Sequence, residues 1–194
     1  MYLLNLALAM IGILTATVHC AGHTRFNTTG YIEIAPDVYI LNQTSNLSPE
    51  QTRPHNSTHC QESIYWDRYG MNNFNPLLKD CQYLLDNLIQ GGSNNVTVES
   101  DWVLSGSPVL GAVVVAISGT CSFFAKVVSD TAHVWIGIDD IRHMLNVTIT
   151  QYSGVDLDGV ERVDWINGEV NCQSDGAQQI YWSVQDVTYG SAAN

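Results

Sequence analysis

Histidines, carboxylates, cysteines and tryptophans are the side chains here that could do chemistry, and their spacing decides which chemistry is open to them. His55 and His59, in HNSTHC, have a spacing that would place two imidazoles on one face of a helix. They flank a sequon in a polar stretch, and a zinc site needs more than two ligands, so both read as surface histidines. His133 and His143 have no identifiable acid or nucleophile beside them and read as loop or helix-surface residues rather than a catalytic base. Asp156, Asp158 and Glu161, in GVDLDGVE, bring acids close together. An EF-hand needs D-x-[DN]-x-[DN]-G and a later glutamate; that spacing fails, and a turn is expected. No G-x-S-x-G, H-E-x-x-H or P-loop occurs. No catalytic residue, metal ligand or cofactor is therefore expected.

Cysteine chemistry is more telling. Cys60, Cys81, Cys121 and Cys172 match no zinc spacing, and no C-x-x-C is present. An even set in an oxidising compartment implies two disulfides, with three connectivities open. The tryptophans Trp66, Trp102, Trp135, Trp165 and Trp182 could make a sugar-binding platform. Four of them sit in apolar strand contexts, which favours core packing.

The compartment is legible at the start of the chain. MYLLNLALAMIGILTATVHC holds no charge and is broken by Asn5. It fades into Thr and His before the roughly 20 apolar residues a spanning helix wants, and then supplies small residues. Residues 1–20 are expected to be a signal peptide cut before Ala21, with a cut after Ala16 as the alternative and no lasting membrane anchor. Cys20 leaves with it. Sequons at Asn27, Asn42, Asn46, Asn56, Asn95 and Asn146 also point to a secretory route and demand surface positions. The net charge is −12, from 7 basic and 19 acidic residues, with no Lys/Arg cluster, so a phosphate backbone is a poor partner.

Residues 21–59 are polar and sequon-rich and read as a glycosylated, loosely ordered arm. YIEIAPDVYIL is its one apolar island; Pro36 demotes it to an edge strand or extended arm. A compact domain is expected over 60–186, followed by a tail, 187–194. QESIYW is a strand candidate. Asn75 is expected to cap a helix, with Pro76 at its first position and Gly91 and Gly92 ending it. Leu77, Cys81, Leu84, Leu85 and Leu88 fall on one face, with Lys79, Asp80, Asp86, Asn87 and Gln90 opposite. VTVESDWVL, LGAVVVAIS, TCSFFAKVV and HVWIG read as strands, the middle two at the centre of a sheet. Asp139 or Asp140 opens a second helix with Ile138, Ile141, Leu145, Ile149 and Tyr152 on one face. ERVDWI and QQIYWSVQDV are the last strands expected. Helices separated by hairpins give an α+β fold, an antiparallel sheet with two helices on one face. Cys81 then looks at the sheet and Cys121 lies beside its most apolar run. A helix-to-sheet pair can meet the ~5.5 Å Cα spacing a disulfide requires. Cys81–Cys121 is expected, leaving Cys60–Cys172 to close the ends of the domain.

The order of these pieces resembles a known family. It runs Cys60, Asp80-Cys81, Trp102, Gly119-Thr120-Cys121-Ser122-Phe123, Asp140-Ile141, Cys172 and Tyr181-Trp182-Ser183-Val184. This pattern is similar to the fungal extracellular-protein-2 effectors, also known as the necrosis-inducing factor domain, over roughly residues 60–186. It departs at Gln61, where glycine is expected, in a longer strand region around SPVLGAVVVAIS, and in the sequon-rich arm. The resemblance implies a fold similar to small fungal killer toxins. It also implies a secreted effector that acts on host plant cells without catalysis. The alternatives are an antimicrobial protein against competing microbes and a module that binds or hydrolyses wall polysaccharide. The expected partner is an unidentified extracellular target of host or microbe, engaged by a monomer. Exposed loops near GGSNN and GVDLDG are the expected contacts.

Overall fold

The computed structural model describes residues 28–42, 58–68, 70–90, 101–105, 112–128, 133–172 and 178–187. In chain order the elements are β1 (Tyr31–Ala35), β2 (Val38–Leu41), β3 (Ile64–Arg68), α1 (Leu78–Gln90), β4 (Asp101–Ser105), β5 (Val113–Ser118) and β6 (Cys121–Val127). They continue with β7 (His133–Gly137), α2 (Ile138–Tyr152), β8 (Ser153–Val155), β9 (Glu161–Val163), β10 (Ile166–Cys172) and β11 (Gln178–Asp186). One seven-stranded sheet runs β1-β2-β5-β6-β11-β10-β3, and two-stranded ladders join β4 to β7 and β8 to β9. Among the described residues, every pairing of these strands is antiparallel.

Alternation along the strands fixes which face is buried. Phe123, Ala125 and Val127 of β6, Ile180, Trp182 and Val184 of β11, and Ile166 and Val170 of β10 all enter the core, whereas Tyr181 and Lys126 are exposed. Cys81, Leu84 and Leu88 of α1 and Ile141, Met144 and Leu145 of α2 join the same core, as do Trp102, Leu104, Val134 and Ile136 of the β4–β7 pair. The fold is therefore the expected α+β arrangement, and β6 lies at the middle of the sheet, where its apolar run belongs.

Four local readings change. Residues 31–41 are not a loose arm but a hairpin that extends the sheet, with Ile34, Val38 and Ile40 fully buried. Pro36 does not interrupt a strand because it occupies the turn, where its missing N–H is not needed. Asp37 follows at φ 59°, and its N–H donates to Glu33 Oε1 at 3.1 Å. β1 is indeed an edge strand. Apart from 28–42 and 58–59, the expected arm lies outside the described residues, as do residues 1–20, expected to be a signal peptide, and the expected tail beyond Val187.

Asn75 does not cap α1. Its Oδ1 accepts from Asn72 N and its Nδ2 donates to Asp164 Oδ1, so it closes the preceding loop against β9–β10. The helix begins at Leu78, and Asp80 N and Cys81 N donate to Leu77 O. Asn87, expected on the wet face, is buried and donates to Tyr83 O at 2.9 Å. α1 packs against α2 as well as the sheet, so its buried sector is wider than its leucine stripe. The single strand expected over ERVDWI is split: Glu161–Val163 forms β9, and β10 begins at Ile166 and runs to Cys172. Gly168 is obligatory in it, because a Cβ there would lie 2.5 Å from both Ile64 O and the Trp182 ring.

Candidate functional site

The cysteines pair as Cys81–Cys121 and Cys60–Cys172. The first joins α1 to β6 with Cα atoms 5.0 Å apart. Its neighbours in sequence form a second, non-covalent clasp. Asp80 Oδ2 accepts from Thr120 N and Thr120 Oγ1, both at 2.8 Å. Thr120 Oγ1 in turn accepts from Leu77 N at 2.8 Å, satisfying an N–H at the start of α1. Gly119 sits at φ +53°, and a Cβ there would lie 2.5 Å from Asp80 Oδ2. The Asp-Cys and Gly-Thr-Cys pieces of the sequence pattern are thus one structural unit.

Asp140 does the same at the second disulfide. Its Oδ2 accepts from Gly137 N and from His59 N, both at 2.8 Å, and its Oδ1 accepts from Cys60 N at 3.3 Å. The carboxylate caps its own helix and holds the backbone that delivers Cys60. Such charge-assisted bonds to backbone N–H groups are stronger than neutral ones. The capping acid is Asp140 rather than Asp139, which instead pairs with Arg142 at 2.6 Å.

The acids of GVDLDGVE also divide. Asp156 is buried, and its Oδ1 accepts from Asp158 N and Val160 N, both at 2.9 Å. Its Oδ2 accepts from Arg162 Nε at 2.5 Å. That bond from Arg162, backed by the Val160 N–H, holds the Asp156 carboxyl below the usual carboxylate range. Arg162 Nη1 also donates to Asn75 O at 2.6 Å, which seats the β8–β9 hairpin on the loop before α1. Sequence reasoning missed this arginine; its place six residues past Asp156, across the expected turn, is the signal that could have found it. The turn holds aliphatic side chains in water: Leu157 is 100% exposed, Val155 61% and Val160 37%.

The remaining candidates are scattered. His59 is buried, its ring 6.0 Å from that of Trp135, and His55 lies outside the described residues, so the pair is not a surface pair. His133 opens β7 and His143 is on α2, both exposed. His143 borders a cleft of about 390 Å³ with Cys60, Glu62, Asp139 and Met144. A second groove, of about 350 Å³, lies on the outer face of the sheet along Phe124, Lys126, Asn167, Tyr181 and Ser183. Hydrogen bonding to Glu169 pushes the Tyr181 hydroxyl up from its ordinary value. Trp102 and Trp182 are buried, with indole N–H groups donating to Leu41 O and Ser63 Oγ, while Trp135 and Trp165 are half-buried. Nothing is described of the Trp66 side chain. Asn146 is exposed on α2 and Asn42 half-exposed after β2; the sequons at Asn27, Asn46, Asn56 and Asn95, and the GGSNN loop, lie outside the described residues. Among the described residues, no three His, Cys, Asp or Glu side chains are placed to hold a metal ion, and no helix is long and apolar enough to cross a membrane.

These features define a small α+β protein, stapled by two disulfides, in which two carboxylates lock helix starts to neighbouring backbone. A family model, Hce2, described as "pathogen effector; putative necrosis-inducing factor", matches residues 59–172. That is more than half of the chain, and the chain belongs to this family. The matched stretch begins beside Cys60 and ends at Cys172, so the second disulfide brackets it. The Tyr181–Val184 strand lies beyond the match. No curated protein matches the chain. Family and disulfides together point to an extracellular protein.

Proposed function

We propose that the chain is a secreted fungal effector that acts on host plant cells by binding an extracellular target rather than by catalysis. One observation carries this reading: the cysteines and acids of the family pattern are already bonded. Asp80 accepts from the N–H and hydroxyl of Thr120, Asp140 accepts from the N–H groups of His59, Cys60 and Gly137, and the four cysteines are paired in disulfides. A general acid or nucleophile needs an open, reactive atom. Further support comes from the uncharged N-terminal stretch, read as a signal peptide, and from the six sequons, read as glycosylation sites.

The test is infiltration of purified mature protein into leaves, native beside reduced-and-alkylated. Cell death from the native form alone is expected. Death from both forms would mean that a short linear epitope acts and would overturn a fold-dependent effector. Incubation with wall polysaccharides is expected to release no sugars, and release of reducing ends would overturn action by binding alone.

A further inference from the structure

We propose that the β8–β9 hairpin is a docking tip that seats Leu157, flanked by Val155 and Val160, in an apolar cleft of a host protein with a cationic rim. The inference rests on the reading of the chain as an extracellular binder and adds the surface and the kind of partner. The side chains are 100%, 61% and 37% exposed in that order. The turn is held by its own bonds: Asp156 accepts from Asp158 N, Val160 N and Arg162, and Asp156 N donates to Val160 O at 2.9 Å. Arg162 anchors the whole hairpin to Asn75 O. An apolar group already held in position gives up little conformational freedom on docking, which is the condition for a strong anchor.

Charge selects the partner. Asp158 and Glu161 are exposed around the tip, and the hairpin's cation, Arg162, is paired with buried Asp156. The tip therefore offers aliphatic surface with a net negative border, on a chain of net charge −12. It complements a protein cleft ringed by Lys or Arg and is repelled by an anionic bilayer. Asp156 is not a contact: its charge is internal, and reversing it would break the turn rather than probe the interface. Leu157 is the residue to test.

The experiment measures fluorescently labelled mature protein, residues 21–194, on leaf protoplasts, intact and trypsin-shaved, beside phosphatidylcholine and phosphatidylserine vesicles. Leu157→Asn is expected to weaken binding to intact protoplasts about thirtyfold, equivalent to about 2 kcal/mol. Its unfolding midpoint should not move, since that side chain is wholly in water. Val128→Ser, at an exposed apolar position away from the hairpin, should leave binding unchanged. Binding should weaken as salt rises and vanish after trypsin. Loss of the Leu157 dependence, survival of binding after trypsin, equal binding to vesicles, Leu157-dependent self-association on size exclusion, or no wild-type binding would each overturn the docking tip. Cell death scored on the same tissue separates the two readings. Death that does not depend on Leu157 keeps the effector and discards the tip. Leu157-dependent, trypsin-sensitive binding without death keeps the tip and discards the necrosis activity.

Discussion

Asp80 and Gly119 should behave as one interaction rather than two residues. Asp80→Ala removes two charge-assisted hydrogen bonds to Thr120 and leaves its N–H unpartnered in a buried position. At about 1.5 kcal/mol each, the low end for bonds to a charged group, the loss is about 3 kcal/mol. Gly119→Ala meets two costs. A Cβ at φ +53° costs about 1 kcal/mol. That Cβ also sits 2.5 Å from Asp80 Oδ2, so the carboxylate must leave and the same bonds break. The single variant should lose about 4 kcal/mol in all. Once Asp80 is alanine, Gly119→Ala has only its backbone cost left, so the double variant should also lose about 4 kcal/mol rather than a sum of about 7. Equilibrium urea unfolding with both disulfides intact measures this, and a domain with a stability of about 5–15 kcal/mol leaves the variants folded enough to compare. Losses that add to within about 0.5 kcal/mol would show that Asp80 and Gly119 do not share the clasp, and the account of the paired sequence pieces would be wrong.

Gly168→Ala should be among the most damaging single changes, because its Cβ would meet backbone at Ile64 and the buried Trp182 ring; an unchanged thermal midpoint would contradict the packing. Asp156, held low by Arg162, contributes stability that is present above the ordinary aspartate value of 3.8 and is lost as pH falls through its lower folded value. NMR titration of its carboxyl should show the depressed value, Arg162→Gln should raise it, and a wild-type value at or above 3.8 would refute the assigned bond. Burial pushes Tyr31 and Tyr65 up from 10.0 to about 12. Their stabilisation is complete below pH 10.0 and disappears as pH rises toward about 12. Tyr65→Phe should flatten the alkaline fall in the urea midpoint, and an equally steep fall would count against the burial.

The helix stripe of Leu77, Cys81, Leu84, Leu85 and Leu88 could be read because a 3.6-residue period needs no knowledge of its partner. The same stripe placed Cys81 against the sheet, and with it the first disulfide. What escaped reading depended on residues far away in sequence. Pro36 looked like a strand breaker until Val38–Leu41 found β5 to pair with. Asn87 looked exposed, yet it is buried on a helix that packs against α2 as well as the sheet. The Asp80–Thr120 and Asp140–Cys60 bonds span 40 and 80 positions, and no local pattern announces them. In each case the side chain's role was decided by a tertiary neighbour.

The residues that make the family visible and the residues proposed to meet the target are different, and the structure ties the two sets together. Cys81–Cys121 and the Asp80 clasp fix Thr120, and Thr120 holds the N–H of Leu77. Leu77 pairs with Arg162 in an antiparallel bridge, Arg162 bonds Asp156, and Asp156 closes the turn that holds Leu157 in water. A continuous run of bonds thus leads from the first disulfide to the hairpin tip. The rigidity that makes an exposed leucine useful as an anchor is therefore supplied by the staple. On this view the family pattern preserves a frame, and residues outside that pattern, such as Leu157, are where a member can change its target without losing its fold.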